Sequence, residues 1–168
     1  MLNTVILNTA WSLADTAQCA FTCQLKAGSY QHEAMDAATY CDAGIDYVKI
    51  DACGPPCHPV QNTSWIRFRK ALDECEAKTK RPMLMYVSSC NNATSCGEWV
   101  ASGEVSDGVS VRADGWRTTG DIQATWGSIM NNLDHNNEMA PVNQKHPGHY
   151  NDPDMLQVPG TRLRPNRC

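Results

Sequence analysis

Helical patterns run straight into apolar, β-rich runs along this chain, and that alternation limits its fold more than any other feature. From Ser29, "SYQHEAMDAATYCDAG" has a polar start, helix formers and a Gly44 stop, and "IDYVKID" follows at once. "SWIRFRKALDECEAKTK" then puts Phe68, Leu72 and Cys75 on one stripe ahead of the strand-like "RPMLMYVSS". Beyond a polar, cysteine-bearing stretch over 90–104, "GVSVRADGWR", "DIQATWGSIMNNLDHNNEM" and "GHYNDPDMLQV" supply strand, helix and strand. Ile122, Trp126, Ile129, Met130 and Leu133 share one helical face, which accounts for Trp126 and Met130 as packing residues. Parallel strands need crossovers and helices supply them, so an α/β fold is expected, either a doubly wound sheet or part of a (β/α) barrel. One domain over 1–168 suits the length.

In both architectures the C-terminal ends of the strands form the functional rim. Asp51, Ser88, Ser89, Arg117, Asp121, Asp152 and Asp154 all fall there. Two acids at the ends of different strands suit glycoside hydrolysis, in which one carboxylate attacks the anomeric carbon and another protonates the leaving oxygen. Asp51 is the candidate nucleophile. Lys49, two residues earlier on the same strand face, should keep it ionised and can hydrogen-bond a sugar hydroxyl. Asp121 is the candidate general acid and base, with Arg117 close enough in sequence to tune it. Trp116 reads equally as a sugar-stacking surface or as core, and Asp152 before Pro153 reads as a turn residue. The histidines His32, His135, His146 and His149 read as surface or loop residues, with only His149 beside a site motif.

A formal net charge of −4 provides no basic surface for a phosphate backbone, so nucleic acid is not an expected partner. No apolar stretch is long enough to span a membrane, so no membrane partner is expected. Nine cysteines, with N-x-S/T sequons at Asn62 and Asn92, favour the secretory route, although "MLNTVILNTAWSLA" does not read as a signal peptide. The odd cysteine count leaves at least one thiol unpaired or waiting for a partner outside the chain. Cys19, Cys23, Cys53, Cys57, His58, Cys90 and Cys96 lack any C-x2-C pair, which argues for disulfides over zinc, and Cys90 and Cys96 flank a loop short enough to bridge.

Three segments in order, "GSYQHEAMDAATYCDAGIDYVKIDAC", "WRTTGDIQATWGSI" and "PGHYNDPDMLQV", resemble the α-galactosidase family of retaining glycosidases, glycoside hydrolase family 27. The resemblance covers Gly28 to Gln157, more thinly over 86–112. It implies a (β/α)8 TIM-type barrel of which the middle strands and helices are present. It makes Asp51 the nucleophile and Asp121 the acid/base, and it assigns substrate contacts to Lys49, Cys53, Arg117, Asp154 and Met155. It also implies a Cys23–Cys53 disulfide, whose loop closure contributes roughly 3 to 4 kcal/mol on the chain-entropy estimate. No metal or organic cofactor is implied. The expected partner is an α-galactoside oligosaccharide or glycoconjugate, with room for a homodimer, and the expected location is secreted, lysosomal or vacuolar.

The chain departs from the family pattern in three places. "WSLADTAQCAFTC" keeps Thr22 and Cys23 but lacks the family's sugar-contacting Tyr. "SSCNNATSC" replaces C-E-W, setting Asn91 where the family reads the sugar's 2-position, so α-N-acetylgalactosamine and β-L-arabinopyranose remain alternative substrates. The early strands with their Trp and paired Asp residues, and the C-terminal β-domain, have no counterpart. The chain therefore reads as the middle of a longer enzyme, with a catalytically dead carbohydrate-binding fragment as the rival reading.

Overall fold

A computed structural model of the chain describes residues 5–7, 12–53, 61–88, 113–139 and 150–155. Among these, six strands form one sheet in the order β1-β2-β3-β4-β5-β6, matching their order in the chain. They are β1 (Val5–Leu7), β2 (Ser12–Ala17), β3 (Tyr47–Asp51), β4 (Leu84–Val87), β5 (Gly115–Arg117) and β6 (Tyr150–Asp152). Three helices lie between them: α1 (Glu33–Asp42), α2 (Gln61–Thr79) and α3 (Trp126–Glu138). From β2 onward every pairing is parallel, whereas β1 runs antiparallel along β2. A doubly wound sheet reverses its strand order at a switch point, so this unbroken order belongs to the barrel-type arrangement. Closure into eight strands is not observed among the described residues.

The two faces of the sheet differ. Ala14, Val48, Ile50, Met85, Val87 and Trp116 are fully buried and pack with Ala37 and Tyr40 of α1 and Trp65, Phe68, Leu72 and Cys75 of α2. Each large side chain removed from water in this way contributes about 1.5 to 3 kcal/mol. Residues alternating with these, such as Leu13, Asp15, Tyr47, Lys49 and Tyr86, point to the opposite face and are only partly covered. Trp116 is 1% exposed and sits in the core, which decides against the stacking role left open for it.

Local chemistry sets the element ends. α1 starts at Glu33, four residues after the expected Ser29, and His32 at its N-cap gives no side-chain cap bond. Ser29 is instead engaged with β2, its Oγ 2.6 Å from Thr16 Oγ1 and its amide donating to the Ala17 carbonyl. Gly44 takes φ +74° to reverse the chain between α1 and β3, in the left-handed region that glycine enters without strain. Cys41 of α1 and Cys75 of α2 form a disulfide that pins the two covering helices together. Arg69, 6% exposed, emerges from α2 beneath β4 and β5, where it bridges Asp73, Glu76 and Asp114 and donates to the Met83 carbonyl.

The apolar stripe expected after Asp121 is a correction. The helix begins at Trp126, capped by Thr125, whose side chain accepts from the Ser128 amide, so Ile122 lies outside it. Trp126 is 73% exposed and Leu133 41%, whereas Asn132 is the buried residue of α3. The helix docks through amides: Asn132 donates to the Gly120 and Pro153 carbonyls, and Asn136 Oδ1 accepts from Thr118 Oγ1 and Asn151 Nδ2. Trp126 and Leu133 face water, while Ile129 and Met130 are half-buried.

Candidate active site

The partly covered face of the sheet carries a cleft of about 570 Å³. Leu13, Tyr47 and Leu84 form one row across it, in direct strand register, and Asp15, Lys49 and Tyr86 form the next row toward the C-terminal ends. Arg117, Asp152, Asp154 and Met155 complete the far wall. Of the residues expected at the site, Lys49, Arg117, Asp154 and Met155 line this cleft. Asp51 and Asp121 adjoin it through Lys49 and Arg117, whereas Cys53 is not among the lining residues and pairs with Cys23.

Asp51 ends β3 with its side chain 18% exposed. Its Oδ1 accepts from the Ala52 amide at 2.7 Å and its Oδ2 lies 3.4 Å from Lys49 Nζ. The same ammonium is 3.5 Å from Asp15 Oδ2 on β2. Burial holds the Asp15 carboxyl above the usual carboxylate range, with Lys49 opposing that rise and the Asp51 charge adding to it. Behind Asp51, Cys53 is bonded to Cys23, which ties the loop after β2 to the segment following the candidate nucleophile. Cys23, Asp51 and Cys53 are also the one group of described residues close enough to share a metal ion, but the two sulfurs are bonded to each other and offer no thiolate.

Across the cleft, Arg117 Nη1 reaches Asp121 Oδ1 at 2.8 Å and Asp154 Oδ2 at 3.6 Å. Asp121 stands 76% exposed, in contrast to Asp51. Asp154 takes φ +77°, a left-handed conformation uncommon outside glycine although Asp is among the residues that enter it most readily. The conformation is held from both sides: Asp154 Oδ2 accepts from the Ile122 amide and Oδ1 from the Met155 amide. Asp152 makes the turn expected of it, with Oδ1 accepting from the Asp154 amide at 2.9 Å. Its Oδ2 accepts from Tyr86 Oη at 2.8 Å.

Sequence reasoning missed Asp15, Tyr47 and Tyr86. "SLADTA" does alternate, setting Leu13, Asp15 and Ala17 on one face, but only the pairing of Asp15 with Lys49 reveals what the acid meets. Ser88 is fully buried, its amide donating to the Ile50 carbonyl. Ser89, Cys90, Asn91, Cys96, Cys57, His58, His146 and His149 lie outside the described residues, as does the Asn92 sequon.

A parallel α/β sheet that gathers acids and cations at the C-terminal ends of its strands defines the chain as a barrel-type α/β protein with a rim site. Within that class it belongs to the α-galactosidase/melibiase family, since the family model described as Alpha galactosidase A matches residues 13–166. The protein named "Probable alpha-galactosidase" of Dictyostelium discoideum is 38% identical over 138 residues, covering 82% of this chain and 31% of its own length. An alpha-galactosidase of Oryza sativa subsp. japonica is 33% identical over 143 residues, covering 82% and 29%. The crystal structure of alpha-galactosidase I from Mortierella vinacea shares the fold at a TM-score of 0.67 and 20% identity, over 89% of this chain and 40% of that one. The chain thus spans about 30% of the length of its sequence relatives.

Proposed function

We propose that this chain supplies the catalytic middle of a retaining (β/α)8 glycosidase that removes terminal α-D-galactosyl residues by double displacement. Asp51 attacks the anomeric carbon, and Asp121 gives its proton to the leaving oxygen and then activates water on the resulting ester. One observation carries the reading: two carboxylates from different strand ends, Asp51 and Asp121, each held by a cation, Lys49 and Arg117, that lines the same cleft. The difference in exposure suits the roles, because a sheltered carboxylate makes a directed nucleophile and an open one exchanges protons with water. Arg117, Asp154 and Met155 would contact the sugar, and Cys53 would hold the floor through Cys23.

Retention needs the two carboxyl groups about 5 to 5.5 Å apart in the complex, against roughly 6.5 to 9.5 Å for inversion. The test is turnover of a chromogenic aryl α-galactoside by the chain, with the anomer of the released sugar followed by NMR. Retained α-galactose, lost on Asp51→Asn with the fold intact, is the expected result. Inverted product, or full activity in Asp51→Asn, sinks the mechanism. The same assay with aryl α-N-acetylgalactosaminide and β-L-arabinopyranoside sets the specificity.

A second reading rests on the open face of the sheet, where the cleft has a wall of strands on one side: the chain binds a galactoside without hydrolysing it. Calorimetry showing heat of binding with no sugar release supports that reading over the first. The Cys23–Cys53 and Cys41–Cys75 disulfides favour an oxidising compartment, and we propose the secretory route to a lysosome, a vacuole or the exterior.

A further inference from the structure

Lys49 Nζ stands between two carboxylates from neighbouring strands, Asp51 Oδ2 at 3.4 Å and Asp15 Oδ2 at 3.5 Å. The double displacement described above makes no use of Asp15. Yet strand register places Asp15 directly opposite Lys49, and Ala17 opposite Asp51, so the nucleophile's flank stays open while the second acid meets the ammonium. Asp15 also lines the cleft itself. Folding alone does not favour this placement: the carboxyl is partly desolvated and faces the Asp51 charge, and Tyr40 and Tyr47 nearby bring no cation. Lys49 offsets that cost.

The charges through the reaction give the pair a use. At rest, one ammonium faces two carboxylates. On glycosylation an Asp51 oxygen bonds to the anomeric carbon, the glycosidic C–O bond breaks, and the leaving oxygen takes the proton of Asp121. Asp51 is then a neutral ester. Lacking another counter-ion, Lys49 would be an unpaired ammonium beside a carbon that passes twice through an oxocarbenium-like state, and like charge there raises both barriers. We propose that Asp15 is a positioning residue of this site, the counter-ion that keeps Lys49 neutralised and in place while Asp51 is esterified. The inference rests on Asp51 being the nucleophile.

The test uses a galactose-configured cyclophellitol aziridine. Asp51 opens its ring to form an ester, the ring nitrogen takes a proton, and intact mass with peptide mapping locates the adduct. The full chain is compared as wild type, Asp15→Asn and Asp15→Glu, with circular dichroism confirming the fold of each. Asp15→Asn should label about tenfold more slowly, equivalent to about 1.4 kcal/mol of barrier, and Asp15→Glu should recover most of the rate. Labelling of Asp15→Asn at the wild-type rate overturns the proposal, as does equal slowing of both variants, which would make shape rather than charge the cause. An unlabelled wild type is a separate outcome that defeats the glycosidase reading and this inference together. Independently of reactivity, carboxyl NMR should show Asp15 titrating higher in Lys49→Met than in the wild type; an unmoved titration overturns the ion pairing itself.

Discussion

Tyr86 on β4 donates its hydroxyl to Asp152 Oδ2 on β6 at 2.8 Å, passing over β5 between them. The crossing is open because residue 115 is glycine: a Cβ there would lie 3.0 Å from Tyr86 Cδ2 and 3.5 Å from the Tyr150 carbonyl oxygen. Asp152 in turn accepts from the Asp154 amide, and Asp154 accepts from the Ile122 amide. A phenol on one strand therefore sets, through two aspartates, the backbone that follows Asp121.

Tyr86→Phe keeps the ring and removes the hydroxyl, leaving one oxygen of Asp152 without this donor. A hydrogen bond to a charged acceptor that is still partly reached by water contributes about 1 kcal/mol. Urea unfolding should show a loss of that size, with aryl galactoside turnover falling along with it because the Asp154 turn loosens. A variant as stable and as active as the parent would show that the bond supports neither.

Gly115→Ala tests the same crossing from the other side. The added methyl meets a ring that is fixed at its far end by Asp152, so the ring must shift or the strands part. Overpacking of this kind costs about 1 to 3 kcal/mol, and the thermal midpoint should fall accordingly. In the double variant Gly115→Ala with Tyr86→Ala that penalty should largely vanish, because the obstructing ring is gone.

The phenols also fix an alkaline limit. Burial pushes the Tyr86 hydroxyl well above its ordinary value, and its bond to Asp152 and that carboxylate's charge add to the shift; burial likewise raises Tyr47, with Asp152 and Asp15 adding. Tyr40 is raised by burial as well. A proton held more tightly in the folded state means stability that is fully present below the unfolded value and lost as pH rises toward the folded one. Urea midpoints should hold up to about pH 10 and fall beyond it. Midpoints that stay level well past pH 10 would contradict the burial of these rings.

How much of this was legible in the sequence depends on the range of the interactions. The α1–β3 and α2–β4 units were readable because Gly44, the Phe68–Leu72–Cys75 stripe and the β-rich runs are local signals. The α3 stripe misled because the helix docks through Asn132 and Asn136, whose partners Gly120, Pro153, Thr118 and Asn151 come from other elements. Asp51, Lys49 and Arg117 could be placed at strand ends from pattern alone, whereas Asp15 becomes meaningful only through the β2–β3 register. Cys41–Cys75 left no trace in spacing, since the contact of two helices is what brings the sulfurs together.

That disulfide supports the covering layer. It closes a loop of 34 residues, for which the chain-entropy estimate is about 3.8 kcal/mol. Because it lies on the helix side of the sheet, Cys41→Ser with Cys75→Ser should lower the urea midpoint strongly while leaving the galactoside affinity of the folded fraction unchanged. An affinity lost in proportion to stability would show that α1 and α2 set the geometry of the rim.

Arg69 provides the sharpest test of what holds the opposite end of the sheet. Its guanidinium is 7% exposed and meets Asp73 at 2.7 Å, Glu76, and Asp114 at 3.5 Å while donating to the Met83 carbonyl at 3.1 Å. Asp114 Oδ2 also accepts from the Met85 amide, and Glu76 Oε1 from the Met83 amide, so the carboxylates that bind the arginine also hold the start of β4. Removing one partner of a buried charge network leaves the others unpaired, and Arg69→Met should cost about 3 kcal/mol in urea unfolding. Arg69→Lys should recover little, because one ammonium cannot reproduce the planar fork that reaches three acids and a carbonyl. Full stability in Arg69→Lys would show that net charge alone is sufficient, and the directed hydrogen bonds would then have no part in anchoring β4 and β5.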